Sequence, residues 1–193
     1  MPAAALSPRE VAELAGTPRH VVEKAIEERV LLVAAGRGGN GRRMLPMHAV
    51  VYAALVSKLD LKLTAAHKKR LLSRLAHLSS AESRKARVEL APAVEIDVGR
   101  LVGDVLARAE RYRTARDKSI QIDDAVMGGT PVIRGTRMTV YSALGRIEHG
   151  ETVDDILADN PDLGRAAVEA AIIYARTHPP IGRPSGRPWS DAA

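Results

Sequence analysis

Near the start of the chain, apolar residues recur at helical spacing in two short blocks separated by turn and cap residues. Ser7 is a good N-cap, Pro8 fits the first helical position and Glu10 completes an S-x-x-E capping box, so the pattern predicts a helix from about Pro8 to Ala15. Gly16 stops it. Thr17-Pro18 repeats the start signal, and Val21, Val22, Ala25 and Ile26 keep helical spacing through about Arg29. Two helices this short, joined by a Gly-Thr turn, read as a helix-turn-helix. The apolar run VLLVAA, the turn-rich tip GRGGNG and the returning RRMLPM then predict a β-hairpin wing. MHAVVYAALVSKL follows at helical spacing, and Thr64 caps a further helix that carries Lys68, Lys69 and Arg70.

Beyond residue 79 the pattern loosens. SSAESRKAR is polar and charged and reads as a linker, and VELAPAVEIDV reads as two short strands interrupted by Pro92. Leu101, Val102, Val105, Leu106 and Ala109 share one face of a single amphipathic helix predicted from Val98 to Arg116. In SIQIDDAVMGGTPVIRGTRMTV, β-branched residues surround a Gly-Gly-Thr-Pro turn and a further glycine, Gly135. Three helices are predicted after it: Val140 to His149, the Thr152-capped TVDDILADN, and Gly164 to Arg176. The tail THPPIGRPSGRPWSDAA is too rich in Pro and Gly for a regular element.

The expected fold is therefore mainly α: an N-terminal winged helix-turn-helix plus a small C-terminal trihelical, helix-turn-helix-like domain with short β-strands. The predicted division is 1–79 for the winged unit, 80–118 for linker, strands and connecting helix, 119–178 for a contact and dimerisation domain, and 179–193 for the tail. Composition agrees with this, because the chain has no Phe, one Trp and four Tyr, leaving a core of Leu, Val, Ile and Ala that suits small helical units. There is no Cys, which excludes disulfides and thiolate metal sites. The start MPAAALSPRE lacks the basic and apolar regions of a secretory signal, and no long apolar run offers a membrane span, so the expected compartment is the cytoplasm.

Charge divides along the chain. Residues 1–79 hold 13 Lys/Arg against 6 Asp/Glu, whereas residues 119–193 hold 7 against 10. A basic front half suits a polyanion, since each cation that neutralises a phosphate releases counterions. The second helix would present Thr17, Arg19, His20 and Lys24 to the major groove of double-stranded DNA, and the wing adds Arg37, Arg42 and Arg43 beside glycines that permit close backbone approach. Two-fold operators imply a homodimer.

Catalytic chemistry finds no footing. The stretch GGTPVIRGTR lacks the G-K-[ST] ending of a phosphate loop; its glycines suit a tight turn, with Arg134 and Arg137 tying neighbouring segments through carboxylates. No H-x-x-x-H pair suggests a metal, no cofactor motif occurs, and Asp154 and Asp155 suit the first turn of a helix. The expectation is a non-enzymatic regulator without a cofactor. Arg183, Arg187 and Trp189 in the tail have the composition of a segment that orders on a protein partner.

Residues Ile120 to Arg176 resemble a small bacterial domain with a G-G-x-P-x-I-x-G-T-R-x-x-V core, here Gly128, Gly129, Pro131, Ile133, Gly135, Thr136, Arg137 and Val140. Its second block reads Gly150, Thr152, Asp155, Ile156 and Leu157, and its third departs, with Asn160 where tyrosine is usual before Pro161-Asp162-Leu163. That domain is similar to the one in antitoxins of the VapB type, which are encoded beside PIN-like nuclease toxins. The resemblance implies an antitoxin that neutralises its toxin and represses its own operon. It further implies that Arg183 or Arg187 enters the toxin's acidic metal cluster while Trp189 anchors the tail. Two alternatives stand beside it: a free-standing MerR-like transcriptional regulator with a sensing or protein-binding C-terminal domain, and a structural adaptor.

Overall fold

The computed structural model describes residues 5–35, 43–59, 63–92 and 94–180. It is mainly α-helical, with ten α-helices and a few short antiparallel strands among the described residues. Chain order begins with β1 (Ala5–Leu6), α1 (Pro8–Ala15) and α2 (Arg19–Glu27). The capping box predicted for α1 is formed: the Ser7 Oγ accepts from the Glu10 N–H at 3.2 Å, and the Glu10 carboxylate accepts from the Ser7 N–H at 2.7 Å. Gly16 ends the helix at φ 63°, a left-handed conformation that a Cβ would strain.

Strands β2 (Ala34–Ala35) and β3 (Arg43–Pro46) follow, and β3 lies between β1 and β2 in a three-stranded antiparallel sheet. Leu6 pairs with Leu45 and Ala34 with Met44. The whole VLLVAA run was expected to be strand, but only its last two residues are. Val30 and Leu31 instead turn inward to the core, and Leu32 is 74% exposed. The wing tip, with Arg37 and Arg42, lies outside the described residues.

Next come α3 (His48–Lys58) and α4 (Ala65–Leu75). Every residue of α3 from Ala49 to Leu55 is buried, so this helix is apolar all round and forms the axis of the first core. The stretch read as a linker forms α5 (Ser80–Ser83), started by a second capping box between Ser79 and Glu82. Strands β4 (Arg87–Ala91) and β5 (Val94–Asp97) pair as a hairpin in which Val88 faces Ile96.

The single helix predicted over residues 98 to 116 is two helices, α6 (Val98–Val102) and α7 (Val105–Ser119). Close backbone packing accounts for the glycines here. A Cβ on Gly99 would lie 1.8 Å from the Arg84 carbonyl oxygen, and one on Gly103 would lie 2.6 Å from the Gly99 oxygen. Val88, Leu90, Ile96, Val98, Val102, Leu106 and Tyr112 join the same core as Leu14, Leu45 and Leu55. The segment from 80 to 118 therefore completes the first core instead of standing apart from it.

The C-terminal unit contains β6 (Ile120–Gln121), a 3-10 turn at Met127–Gly129, β7 (Val132–Ile133), α8 (Val140–Glu148), α9 (Val153–Asp159) and α10 (Arg165–Thr177). Strands β6 and β7 pair antiparallel. Ile133, Val140, Ala143, Ile156, Val168 and Ala171 form a second, smaller core. Helix α10 belongs to both, since its Ala170 packs into the first core. Among the described residues no helix is long and apolar enough to cross a membrane.

Candidate nucleic-acid interface

Helix α2 buries Val22 and Ala25 against the first core, which turns the opposite face outward. Arg19, His20 and Lys24 are exposed on that face, as the spacing predicts. Arg43, at the start of β3, is exposed as well. Thr17 departs from the expected reading edge. It is 9% exposed, its N–H donates to the Ala12 carbonyl at 3.0 Å, and its buried hydroxyl has no partner. Thr17 is a turn residue of the scaffold, and Pro18 takes the N-cap position of α2 without a side-chain hydrogen bond.

The exposed face is not uniformly basic. Arg19 pairs with Glu23 at 2.6 Å, one helical turn away. In the Lys68-Lys69-Arg70 cluster of α4, Lys68 pairs with Glu28 at 2.5 Å and Arg70 donates to the Leu90 carbonyl at 3.2 Å. Lys69 remains exposed. A hollow of about 550 Å³ between α2, α3 and α4 is lined by His20, Lys24, Glu28, Tyr52 and Lys68. Burial, with Glu28 adding to it, pushes the Tyr52 phenol up to about 12.

A second hollow of about 510 Å³ gathers Arg29, His48 and Lys69 beside Leu32. The His48 imidazole is held below its ordinary value by burial and by His77, so it is neutral at pH 7 and the cations of this hollow are Arg29 and Lys69. Sequence reading did not assign Arg29 to a site. Its signal is conformational: it leaves α2 at φ 52°, which places it where the chain turns toward the wing. Lys24, Arg29 and Lys69 are thus exposed cations suited to phosphate oxygens.

Behind this surface, α1 is fastened to the rest of the molecule by a buried carboxylate. Glu10 is 1% exposed and accepts from the Tyr112 hydroxyl at 2.7 Å and from the Arg116 guanidinium at 2.8 Å, both on α7. Burial alone would raise the Glu10 carboxyl, but Arg116, the Ser7 N–H and Tyr112 outweigh it and hold the group below the ordinary glutamate range. Burial and the neighbouring Glu10 push the Tyr112 phenol far up. Arg176 of α10 pairs with Glu13 of α1 at 3.3 Å. Periodicity shows none of these partners, which lie more than a hundred residues apart.

The glycine-rich motif of the C-terminal unit is a structural loop. Gly128 and Gly129 turn at φ 61° and 76°, and a Cβ on Gly129 would lie 2.7 Å from an Asp124 carboxylate oxygen. The Pro131 carbonyl accepts from the Val140 N–H at 2.9 Å. The Thr136 hydroxyl donates to the Ile133 carbonyl at 2.8 Å and accepts from the Met138 N–H at 3.1 Å, and Gly135 stands at φ 79° between them. These bonds join β7 to the start of α8. Arg134, expected to reach a carboxylate, donates instead to the Lys118 backbone carbonyl at 2.9 Å, and Arg137 is exposed. The acidic α9 is neutralised locally: Asp154 pairs with Arg165, Asp159 with Arg146, and Asp155 closes a capping box with Thr152. Arg183, Arg187 and Trp189 lie outside the described residues.

Three comparisons bear on this arrangement. Residues 120–175 match the family described as a protein of unknown function, DUF433, and no solved structure matches the chain. Over an alignment of 199 residues the chain is 28% identical to a protein of Sinorhizobium fredii described as uncharacterized protein y4eO, covering 95% of this chain and 86% of the relative. The chain is therefore similar to DUF433 in its C-terminal unit and to the Sinorhizobium protein across both units.

Proposed function

We propose that the chain is an antitoxin of a toxin-antitoxin module, which binds double-stranded operator DNA as an autorepressor and neutralises a PIN-like ribonuclease in the cytoplasm. The observation that carries the DNA-binding part is α2, held by the winged scaffold with Arg19, His20 and Lys24 exposed on one face. Arg43 at the base of the wing, with Arg37 and Arg42 of the tip, would meet the flanking backbone, and a homodimer would read two half-sites. The antitoxin part rests on the likeness of residues 120 to 176 to VapB-type antitoxins. In that reading Arg183 or Arg187 enters the toxin's acidic cluster and Trp189 anchors the tail. The reading assigns the chain no catalysis and no cofactor.

The test has two arms. A gel shift on the chain's own promoter, repeated across salt concentrations, should show a steep loss of binding as salt rises. Replacing both Arg19 and Lys24 by Ala should reduce the slope of log K against log salt by about 2 if each meets one phosphate. Co-purification with the product of the adjacent gene tests the toxin, and deleting residues 179–193 should abolish neutralisation while sparing DNA binding. Absence of DNA binding at low salt overturns the regulator reading altogether. DNA binding without any PIN-like partner favours a MerR-like regulator, a second reading supported by the cleft between the two units, which has the size of a ligand site.

A further inference from the structure

We propose that the cleft between α7 and the beginning of α10 binds a small organic anion with an apolar body. The cleft encloses about 850 Å³, within the roughly 300–1,000 Å³ of small-molecule sites. One wall is a single face of α7, on which Ala107, Arg111, Ala115 and Lys118 follow one another at helical spacing. Ala166 and Ala167 of α10 stand opposite, and Ile133 and Leu163 close the apolar end. Alanine on both walls keeps the space between the helices open.

The rim carries four cations, Arg84, Arg111, Lys118 and Arg134, against two carboxylates, Glu110 and Asp162. Several of these are already engaged. Glu110 accepts from the Ser80 hydroxyl, Arg84 pairs with Asp104 at 3.2 Å, and the Nε of Arg134 donates to the Lys118 carbonyl. Arg111 and Lys118 have no ion-pair partner among the described residues. An uncompensated guanidinium and ammonium above an apolar floor match a carboxylate or sulfonate joined to an aryl or alkyl body. The groove continues past Arg111 into a hollow of about 360 Å³ between α7 and α10, with Glu169 at its edge, which leaves length for that body. This site does not depend on the DNA-binding reading.

Titrating the full chain with anilinonaphthalene sulfonate, followed by fluorescence, tests the site, with uncharged phenylnaphthylamine as the matched probe. Saturable binding is expected. Replacing both Arg111 and Lys118 by Gln should weaken the sulfonate about tenfold, the loss of one charge-assisted contact, and leave the uncharged probe unchanged. Ala166→Phe should fill the cleft and weaken both probes, with circular dichroism and the unfolding midpoint confirming the native fold. Unaltered sulfonate affinity in the folded Arg111/Lys118 variant overturns the proposal, and because those two changes are made at the rim the test stands even where Ala166→Phe fails to fold.

Discussion

Glu10→Gln removes the charge of the carboxylate that fastens α1 to α7 and keeps its shape. The side chain is 1% exposed and accepts bonds of 2.7, 2.7 and 2.8 Å from the Ser7 N–H, the Tyr112 hydroxyl and Arg116. Breaking one partner of a buried ion pair costs about 3–5 kcal/mol, mainly because the other charge stays buried without compensation. Arg116 is 17% exposed and also touches Asp117 at 2.8 Å, which places the expected loss at the low end, about 3 kcal/mol. For a chain of this length that lowers the melting temperature by about 6–12 °C. The pH dependence has a definite sign. Because the folded carboxyl ionises below the ordinary glutamate range, its stabilisation is complete above that range and is lost as pH falls through the folded value. The wild-type chain should therefore lose more stability than Glu10→Gln between about pH 5.5 and pH 3. Urea unfolding of Glu10→Gln, Arg116→Met and the double variant gives the coupling. A double variant less destabilised than the sum of the singles by about 2 kcal/mol is expected, and additivity within about 0.5 kcal/mol would refute the reasoning.

Two further outcomes follow from burial and close packing. Thr17→Val replaces a buried hydroxyl that has no partner by a methyl of similar size, so unfolding should become harder by about 1 kcal/mol while operator affinity stays unchanged; a large loss of affinity would return Thr17 to the reading edge. Gly99→Ala drives a methyl into the Arg84 carbonyl, which should cost about 3 kcal/mol or more in denaturant melts, and a neutral effect would show that α6 does not pack there.

The parts legible in the sequence are those decided within a few residues of each other. The caps at Ser7, Thr64 and Thr152 satisfy backbone N–H groups three positions away, so the starts of α1, α4 and α9 follow from composition alone. The same rule could have found α5, because SSAESRKAR contains Ser79 and Glu82 at capping-box spacing, but its polar composition pointed to a linker. Apolar runs were ambiguous in another way. In VLLVAA, half the apolar side chains serve the core and half face outward, so hydrophobicity alone does not separate strand from inward turn. The break between α6 and α7 and the place of Gly99 depend on the Arg84 backbone, which only tertiary packing brings near. At the DNA face, Arg19, His20 and Lys24 were legible because they lie opposite Val22 and Ala25. Burial of Thr17 and the pairing of Lys68 with Glu28 were not, since each depends on a neighbouring element.

Sharing of α10 and α7 between the two cores restricts how the functional reading can be tested. Ala109 and Tyr112 of α7 and Ala170 of α10 are buried with the residues that support α1, while Val168, Ala171 and Tyr174 of α10 belong to the second core. Cutting the chain after α7 would remove α10 from both cores and uncover the apolar surface it now covers, beside the buried Glu10 cluster. Such a fragment would fail through loss of packing, whatever the role of its exposed cations. Point substitutions at Arg19, Lys24, Arg29 and Lys69, whose side chains carry no part of either core, separate DNA contact from folding in a way that truncation does not.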